Sequence, residues 1–209
     1  RFVDVSAATS GGAISAAQST VTIVGSTFTR STAATGGAIV AYDESKVSVV
    51  NSKFDNVYSL GSGGVAALSS ATISLTGCDV TSTAALGGSG GVVSAVASTV
   101  SVINSEIRNV SASRSGGFLF LADSRIATVR GTSVTDATAT YRGGALLSSG
   151  SDVVTVRDST FDKCRIVAPA SSSAVVAQAS SSNSTNSSAS ATMGSALYVE
   201  DSDSFTLDG

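Results

Sequence analysis

The sequence contains no histidine or tryptophan, one proline, two cysteines and only 5% aromatic residues. The absence of histidine excludes Ser-His-Asp and Cys-His catalytic groups and every zinc site that uses imidazole. Charged residues make up 13% of the chain, and the net charge of −3 is not gathered into a basic stripe, so we expect no nucleic-acid partner. No apolar run approaches the roughly 20 residues that a membrane-spanning helix needs.

Small and β-branched residues dominate what is present, and they are arranged in a repeat. Gly-Gly pairs recur every 25 to 27 residues, and a degenerate copy follows near the end of the chain. A constant period of this length predicts a solenoid. The pairs are Gly11-Gly12, Gly36-Gly37, Gly63-Gly64, Gly90-Gly91, Gly116-Gly117 and Gly143-Gly144, and the degenerate copy is Gly194-Ser195.

Each repeat contains three short runs in which apolar and polar residues alternate, a period typical of strands rather than helices. The second repeat shows these runs best, at residues 36–41, 47–49 and 54–57. We therefore predict an all-β fold: a parallel β-helix with three strands per coil, about 26 residues per coil and roughly seven to eight coils. Residues 1–209 are expected to form a single β-helix segment.

Alignment of the coils predicts which residues stack inside. The leading residue of the third side is apolar in every coil, and the columns two residues before and after it are small or polar. We interpret these polar columns as ladders that hydrogen-bond at the corners, in preference to a row of binding residues. The apolar column is Phe2, Phe28, Phe54, Val80, Ile107, Val134 and Phe161.

The first side also presents an apolar column that the alternation directs outward. It includes Val40, Phe120, Leu147 and Tyr198, and Phe118 extends it on the expectation that the third residue of a repeat also faces out. An exposed apolar stripe is unfavourable in water. Two interpretations remain open: another part of the same protein covers the stripe, or the stripe packs against a partner or against copies in a fibre.

β-Helix enzymes that act on polysaccharides use carboxylates from neighbouring coils, so acidic residues that share a column are candidate catalytic groups. Asp79 and Glu106 are neighbours in the column before the phenylalanines, and Lys53 precedes them. We interpret them as solvated surface charges. Arg130 and Arg157 share another column, which suggests a contact with an anion or an acidic partner. The residues indicate no catalytic, metal or cofactor site.

Cys78 and Cys164 lie three coils apart, which corresponds to roughly 14 Å along the axis. A disulfide needs Cα atoms within about 7 Å, so we predict two unpaired thiols. Cys78 is expected to replace a serine of a corner ladder, and Cys164 to point inward.

The last third of the sequence departs from the repeat. Residues 172–177 resemble a seventh first strand, and the eighth coil is expected to resume at Gly194. Between them, residues 179–190 are almost only Ser, Asn, Ala and Thr, which predicts a flexible insert. Asn183 and Asn186 begin N-x-Ser/Thr sequons in this insert and are candidate glycosylation sites; Asn109 begins a third.

The chain opens and stops in mid-coil, so we expect a segment of a longer β-helix or one link of a filament.

Gly-Gly-Ala-Ile at residues 11–14 and 36–39, with Phe-Asp-Asn at residues 54–56, resembles the repeat of polymorphic outer-membrane proteins and related pectin-lyase-like surface proteins. Similar repeats occur in flagellar-hair proteins of algae. The resemblance implies a right-handed β-helix that serves as an adhesin or scaffold, outside the cell or on its surface, with protein partners, copies of itself or glycans. The alternative is a carbohydrate-active enzyme whose catalytic coil lies outside this segment. Ice binding is a third hypothesis, weakened because Thr27, Thr29, Thr138 and Thr140 do not share a column.

Overall fold

The computed structural model describes residues 1–167 and 196–208. Within this part of the chain every element of regular secondary structure is a β-strand. In chain order the strands are β1 (Phe2–Val3), β2 (Ser6–Ser10), β3 (Ile14–Ala17), β4 (Thr20–Val24), β5 (Thr27–Thr29), β6 (Thr32–Thr35), β7 (Ile39–Tyr42), β8 (Lys46–Val50), β9 (Lys53–Asp55), β10 (Tyr58–Ser59), β11 (Ala66–Ser69), β12 (Thr72–Thr76), β13 (Asp79–Ala85), β14 (Val93–Val96), β15 (Thr99–Ile103), β16 (Glu106–Ala112), β17 (Leu119–Ala122), β18 (Ile126–Arg130), β19 (Ser133–Ala139), β20 (Leu146–Ser149), β21 (Val153–Arg157), β22 (Thr160–Asp162), β23 (Arg165–Ile166), β24 (Leu197–Glu200) and β25 (Ser204–Asp208).

These strands form three parallel sheets, one for each side of a β-helix, as the sequence predicts. Sheet 1 follows the Gly-Gly pairs and contains β3, β7, β11, β14, β17, β20 and β24. Sheet 2 contains β4, β8, β12, β15, β18, β21 and β25. The remaining strands form sheet 3, in which a bend divides several rungs into two short strands. Ile39 pairs with Ala66, and Ala66 pairs with Val93, so each rung lies one repeat from the next.

The corners of the coil are made by residues in the left-handed backbone region. In the second coil these residues are Gly36 (φ 60°), Asp43 (φ 52°), Glu44 (φ 63°), Asn51 (φ 48°) and Asn56 (φ 54°). A residue with a Cβ loses roughly 1–2 kcal/mol in this region, and Asn and Asp tolerate it best among residues other than glycine. The polar column two residues after the phenylalanines is therefore a bend column, which explains why its residue types vary while its small or polar character persists.

The interior is filled by stacked apolar side chains. The rings of Phe2 and Phe28 have centroids 4.6 Å apart and planes 4° from parallel. Phe54 continues the stack, and Val80 and Ile107 follow in register. Phe28, Phe54, Val80 and Ile107 have no solvent exposure. Burial of such side chains is the main favourable term in the stability of the coil.

The predicted corner ladder is also present. The N–H of Ser26 donates to Oγ of Ser52 at 3.1 Å, and the Ser52 hydroxyl donates to the Val50 carbonyl at 2.9 Å. Two coils later the N–H of Cys78 donates to Oγ of Ser105 at 3.1 Å. Each hydroxyl thus accepts from a backbone N–H of the neighbouring coil and donates to a carbonyl of its own turn, which also accepts a backbone N–H. The polar column two residues before the phenylalanines therefore stabilises the corners of the coil.

The predicted first strand at residues 172–177 lies outside the described residues, whereas Leu146 pairs directly with Leu197 and Val153 with Ser204. Rungs β20 and β24 are therefore neighbours, although they are separated by about twice the usual number of residues. Sheets 1 and 2 each contain seven rungs in the described part of the chain. The predicted flexible insert at residues 179–190 and the restart at Gly194 lie outside the described residues.

Candidate functional site

The predicted outward stripe on sheet 1 is not an exposed surface, and Phe118 does not belong to it. Phe118 has no solvent exposure and packs in the central core. It precedes β17, at the corner that Gly116 forms with φ 63°. Alternation of inward and outward side chains applies within a strand, whereas at this corner Phe118 and the next residue, Leu119, both point inward. The expectation that Phe118 faces a partner is therefore wrong.

Val40, Leu147 and Tyr198 do lie outside the central core, but they are only 8%, 6% and 5% exposed. In-register neighbours cover their flanks, since Leu147 stacks between Phe120 and Tyr198. The glycine corner also packs close to these strands: a Cβ at Gly143 would lie 2.9 Å from the Leu147 nitrogen. The expectation that these side chains are open to a partner is wrong, and Phe120 alone is half-buried.

Tyr198 is held in a small polar cluster over sheet 1. Its hydroxyl donates to Oε2 of Glu200 at 2.6 Å and accepts from Nη1 of Arg142 at 3.1 Å. The Arg142 guanidinium lies 5.0 Å from the Tyr198 ring centroid and 3.1 Å from the Glu200 carboxylate. The bond to Glu200 raises the pKa of Tyr198. The cluster joins Arg142, at the Gly-Gly corner of one coil, to β24 in the next coil. Its role is to hold β24 in place on sheet 1.

The groove that best fits a candidate site runs along the corner between sheets 2 and 3. Its volume is about 410 Å³, and it spans three coils. Two of its lining residues are glycines, which contribute only main-chain atoms. Its walls carry two carboxylates and several hydroxyl and amide groups. The lining residues are Gly77, Cys78, Asp79, Asn104, Ser105, Glu106, Gly131 and Ser133.

The two carboxylates of the groove are adjacent because they open successive rungs. Asp79 is the first residue of β13 and pairs in register with Glu106, the first residue of β16. Asp79 lies 3.3 Å from Nζ of Lys53 and 3.8 Å from Nη1 of Arg108. Glu106 accepts from Nε of Arg108 at 2.7 Å. This bond raises the pKa of Arg108.

All four charged side chains are substantially exposed, so solvent screening leaves each ion pair only a small contribution to stability. The arrangement confirms the interpretation of Asp79 and Glu106 as surface charges, and it adds a second cation to Lys53. Free carboxylate lone pairs and guanidinium donors at a groove can also hydrogen-bond a hydroxylated ligand such as a sugar. Among the residues that the structure describes, no three Cys, Asp or Glu side chains lie close enough together to hold a metal ion.

Both cysteines are free thiols. Cys78 is buried in the corner ladder and donates to the Thr76 carbonyl at 3.6 Å. Cys164 is half-buried, packs against the core and donates to the Asp162 carbonyl at 3.5 Å. Burial raises the pKa of both thiols, that of Cys164 to about 11. Neither thiol has the lowered pKa of a reactive cysteine.

Asn183 and Asn186 lie outside the described residues, so the structure adds nothing to their assignment as glycosylation sites. Asn109 is described and exposed, in the bend of sheet 3 at φ 52°. Its Nδ2 donates to Oγ of Ser82 at 3.2 Å. The predicted Arg130–Arg157 neighbour pair is present in sheet 2, with Arg130 bound to Asp158 at 3.4 Å.

Two features of the outer surface are absent from the sequence-based predictions. The middle outward column of sheet 2 contains only hydroxyl side chains, and strict alternation within the Val-x-Val runs would have identified it. This column is Thr22, Ser48, Ser74, Ser101, Thr128, Thr155 and Thr206. The second feature is Arg142. It contacts β24, and the sequence alone does not show that β24 is the neighbour of β20.

Three parallel sheets, a stacked core and corners that recur once per coil define the architecture, and comparison with family models agrees with it. A model described as right handed beta helix region matches residues 11–209. The chain belongs to this family. No curated protein and no solved structure matches the chain. The right-handed beta helix family contains both enzymes and proteins without catalytic activity. No helix in residues 1–167 and 196–208 has the length and hydropathy of a membrane span.

Proposed function

We propose that this chain is a structural rod, a β-helix segment of a large extracellular or cell-surface protein. In this role it acts as an adhesin, a spacer or a building block of a filament such as a flagellar hair. The observation that carries the proposal is the role of the polar side chains at the corners. Their hydroxyl groups and charges hydrogen-bond or pair between neighbouring coils and so hold the coils together. The corner hydroxyls of Ser52 and Ser105 each bond the backbone on both sides.

The finer resemblance to polymorphic outer-membrane repeats belongs to the same proposal. Gly-Gly corners and the stacked Phe2, Phe28 and Phe54 rings support it, because these are the positions that the repeat motif specifies. Protein partners, copies of the chain and glycans on Asn183 or Asn186 are the partners that this role implies. Electron microscopy of the protein in its native source tests the proposal: we expect rods or fibres, and dispersed compact particles would contradict it.

A second candidate is a carbohydrate-active enzyme or carbohydrate-binding protein. The observation that favours it is the groove in which Asp79, Glu106 and two cations meet. The ion pairs within the groove weigh against it, since Lys53 and Arg108 already engage both carboxylates.

Incubation with acidic and neutral polysaccharides, followed by measurement of released reducing or unsaturated ends, separates the two candidates. The structural proposal expects no release. Release that is lost in an Asp79→Asn/Glu106→Gln double variant, and kept in an Asp162→Asn control on the same sheet, would establish the second candidate.

A further inference from the structure

The exposed apolar side chains of the rod are confined almost entirely to the two edges that border sheet 1. Eleven large apolar residues of the described chain are exposed, and five belong to the edge between sheets 3 and 1. Four more belong to the edge between sheets 1 and 2. We name these the 3–1 edge (Tyr58, Leu60, Leu86, Tyr141 and Val167) and the 1–2 edge (Tyr42, Val96, Ile126 and Val153).

The two edges differ in charge. The 1–2 edge carries six acidic residues that form no ion pair within the described part of the chain, against the two cations Lys46 and Arg125. The 3–1 edge carries Arg114 and Arg142 and no acidic residue; Arg142 already pairs with Glu200, whereas Arg114 forms no ion pair within the described residues. The six acids are Asp43, Glu44, Asp123, Asp152, Asp201 and Asp203.

The remainder of the surface is nearly balanced. Apart from these six acids and four cations the chain has nine acidic and eight basic residues, and most of them form ion pairs. Arg30, for example, donates to Asp4 at 2.8 Å, and Lys53 binds Asp79. The bond with Arg30 lowers the pKa of the Asp4 carboxyl. Six unpaired acids on the 1–2 edge and the unpaired Arg114 on the 3–1 edge therefore lie beside exposed apolar side chains.

From this coincidence we infer that the 3–1 edge of one rod docks on the 1–2 edge of a second copy of the chain, side by side with parallel axes. Contact of the 1–2 edge with itself would oppose six unpaired acids to six others, which is unfavourable at low salt. Contact between the two different edges joins apolar residues and places Arg114 against acidic side chains. Both edges repeat with the same rung spacing of about 4.8 Å, so the rods stay in step along their length.

Such a contact is heterologous, because the two surfaces differ, and an unclosed heterologous contact generates an open array. Each edge is narrow, and stable interfaces bury about 1,200–2,000 Å². A single pair of these segments is therefore weakly associated, and the array gains stability by repetition. The inference deepens the structural role proposed above and rests on it.

Sedimentation velocity of the full chain over a range of concentrations, at low and high salt, tests the inference. We expect concentration-dependent association that high salt weakens. Leu60→Asp/Leu86→Asp and Arg114→Glu should each reduce it at least about tenfold in apparent affinity, whereas Val24→Asp, on neither edge, should not. Circular dichroism and the thermal midpoint of each variant verify that the fold is retained.

A charge-exchange mixture makes the test specific. Arg114→Glu disables the 3–1 edge, and Asp152→Lys/Asp203→Lys disables the 1–2 edge, where these two acids are exposed in successive rungs. Each variant alone should be monomeric, and an equimolar mixture should recover association. A native chain that stays monomeric at all concentrations, or a mixture that fails to associate, overturns the docking. Isolated rods in micrographs of the source would then still support the structural role.

Discussion

The ring of Phe28 lies face to face on the ring of Phe54, with centroids 4.7 Å apart and planes 7° from parallel. The two residues are one coil apart in sheet 3, and both are fully buried. The spacing of the rings equals the spacing of parallel strands, so the backbone ladder and the aromatic stack reinforce each other. The stack extends to Phe2 and gives the first three coils a continuous aromatic column.

We predict that Phe54→Ala lowers the free energy of unfolding by about 3–5 kcal/mol, the range for loss of a buried phenylalanine. Urea denaturation followed by circular dichroism measures the change. Phe161→Ala serves as the matched control, since Phe161 belongs to the same column but is only partly buried. An equal loss in the two variants would contradict the central position of Phe54.

The corner between sheets 2 and 3 alternates between glycine and Asn or Asp, and this alternation makes a second prediction. Gly77 has φ 62°, and a Cβ added there would collide with the side-chain oxygen of Asn51 in the previous coil. Gly77→Ala should therefore cost the roughly 1–2 kcal/mol of the left-handed conformation and, in addition, the smaller cost of moving the exposed Asn51 side chain. Gly25→Ala should cost only the amount of the left-handed conformation, because nothing lies within 4 Å of its added Cβ.

A double-mutant cycle tests the collision directly. In an Asn51→Gly background the Gly77→Ala substitution should lose its extra cost, with a coupling energy toward the lower end of about 0.5–3 kcal/mol. Urea denaturation of all four chains measures it. Identical costs of Gly77→Ala in the two backgrounds would show that Asn51 does not occupy the space.

Removal of a ladder hydroxyl is the third prediction. Ser105→Ala leaves the buried N–H of Cys78 without its acceptor, so it should destabilise the protein by about 1–3 kcal/mol. Cys78→Ser should change stability by less than about 1 kcal/mol, because serine occupies this column in neighbouring coils. Thermal and urea unfolding of the two variants should separate them clearly, and the reverse order of stabilities would exclude the ladder.

The fourth prediction concerns Cys164, whose pKa burial raises from 9.0 to about 11. In folded protein near neutral pH, Cys164 should contain about 100-fold less thiolate than in unfolded chain, and should react correspondingly slowly with iodoacetamide. The folded pKa lies above the unfolded one, so this thiol favours folding fully below pH 9 and loses that contribution as pH rises toward 11.

Alkylation rates of Cys164 measured by peptide mass spectrometry from neutral to alkaline pH give the profile. The same chain in urea is the control. An inflection near pH 9 in folded protein would mean that Cys164 is solvated.

The sequence was sufficient for the coil, the core columns and the neighbouring positions of Asp79 and Glu106, because these follow from the Gly-Gly period and from alternation within strands. It was insufficient wherever a corner intervenes. Phe118 turns inward because alternation is interrupted at Gly116, and Val40 and Tyr198 are buried although alternation directs them away from the core.

The spacing of the repeats along the sequence also did not determine the number of coils near the end of the chain. A separation of two repeats between Leu146 and Leu197 is compatible with an inserted rung or with a longer connection, and backbone pairing decides for direct contact. At the groove, Arg108 was missed because its role depends on a bond to Glu106 two residues earlier on the same strand face.

The pairing of every rung with a residue one coil away has a consequence for how the molecule is assembled. Hydrogen bonds in the three sheets join chain segments separated by a whole repeat, so an isolated coil has no ladder of its own and is ordered only on a coil that already exists. Folding is then a templated addition in which the loop to be closed has nearly the same length at each step up to β21, and about twice that length at the step to β24. A rod of this kind can be lengthened by duplication of a coil at little kinetic cost, provided that the new coil carries left-handed residues at the same corners.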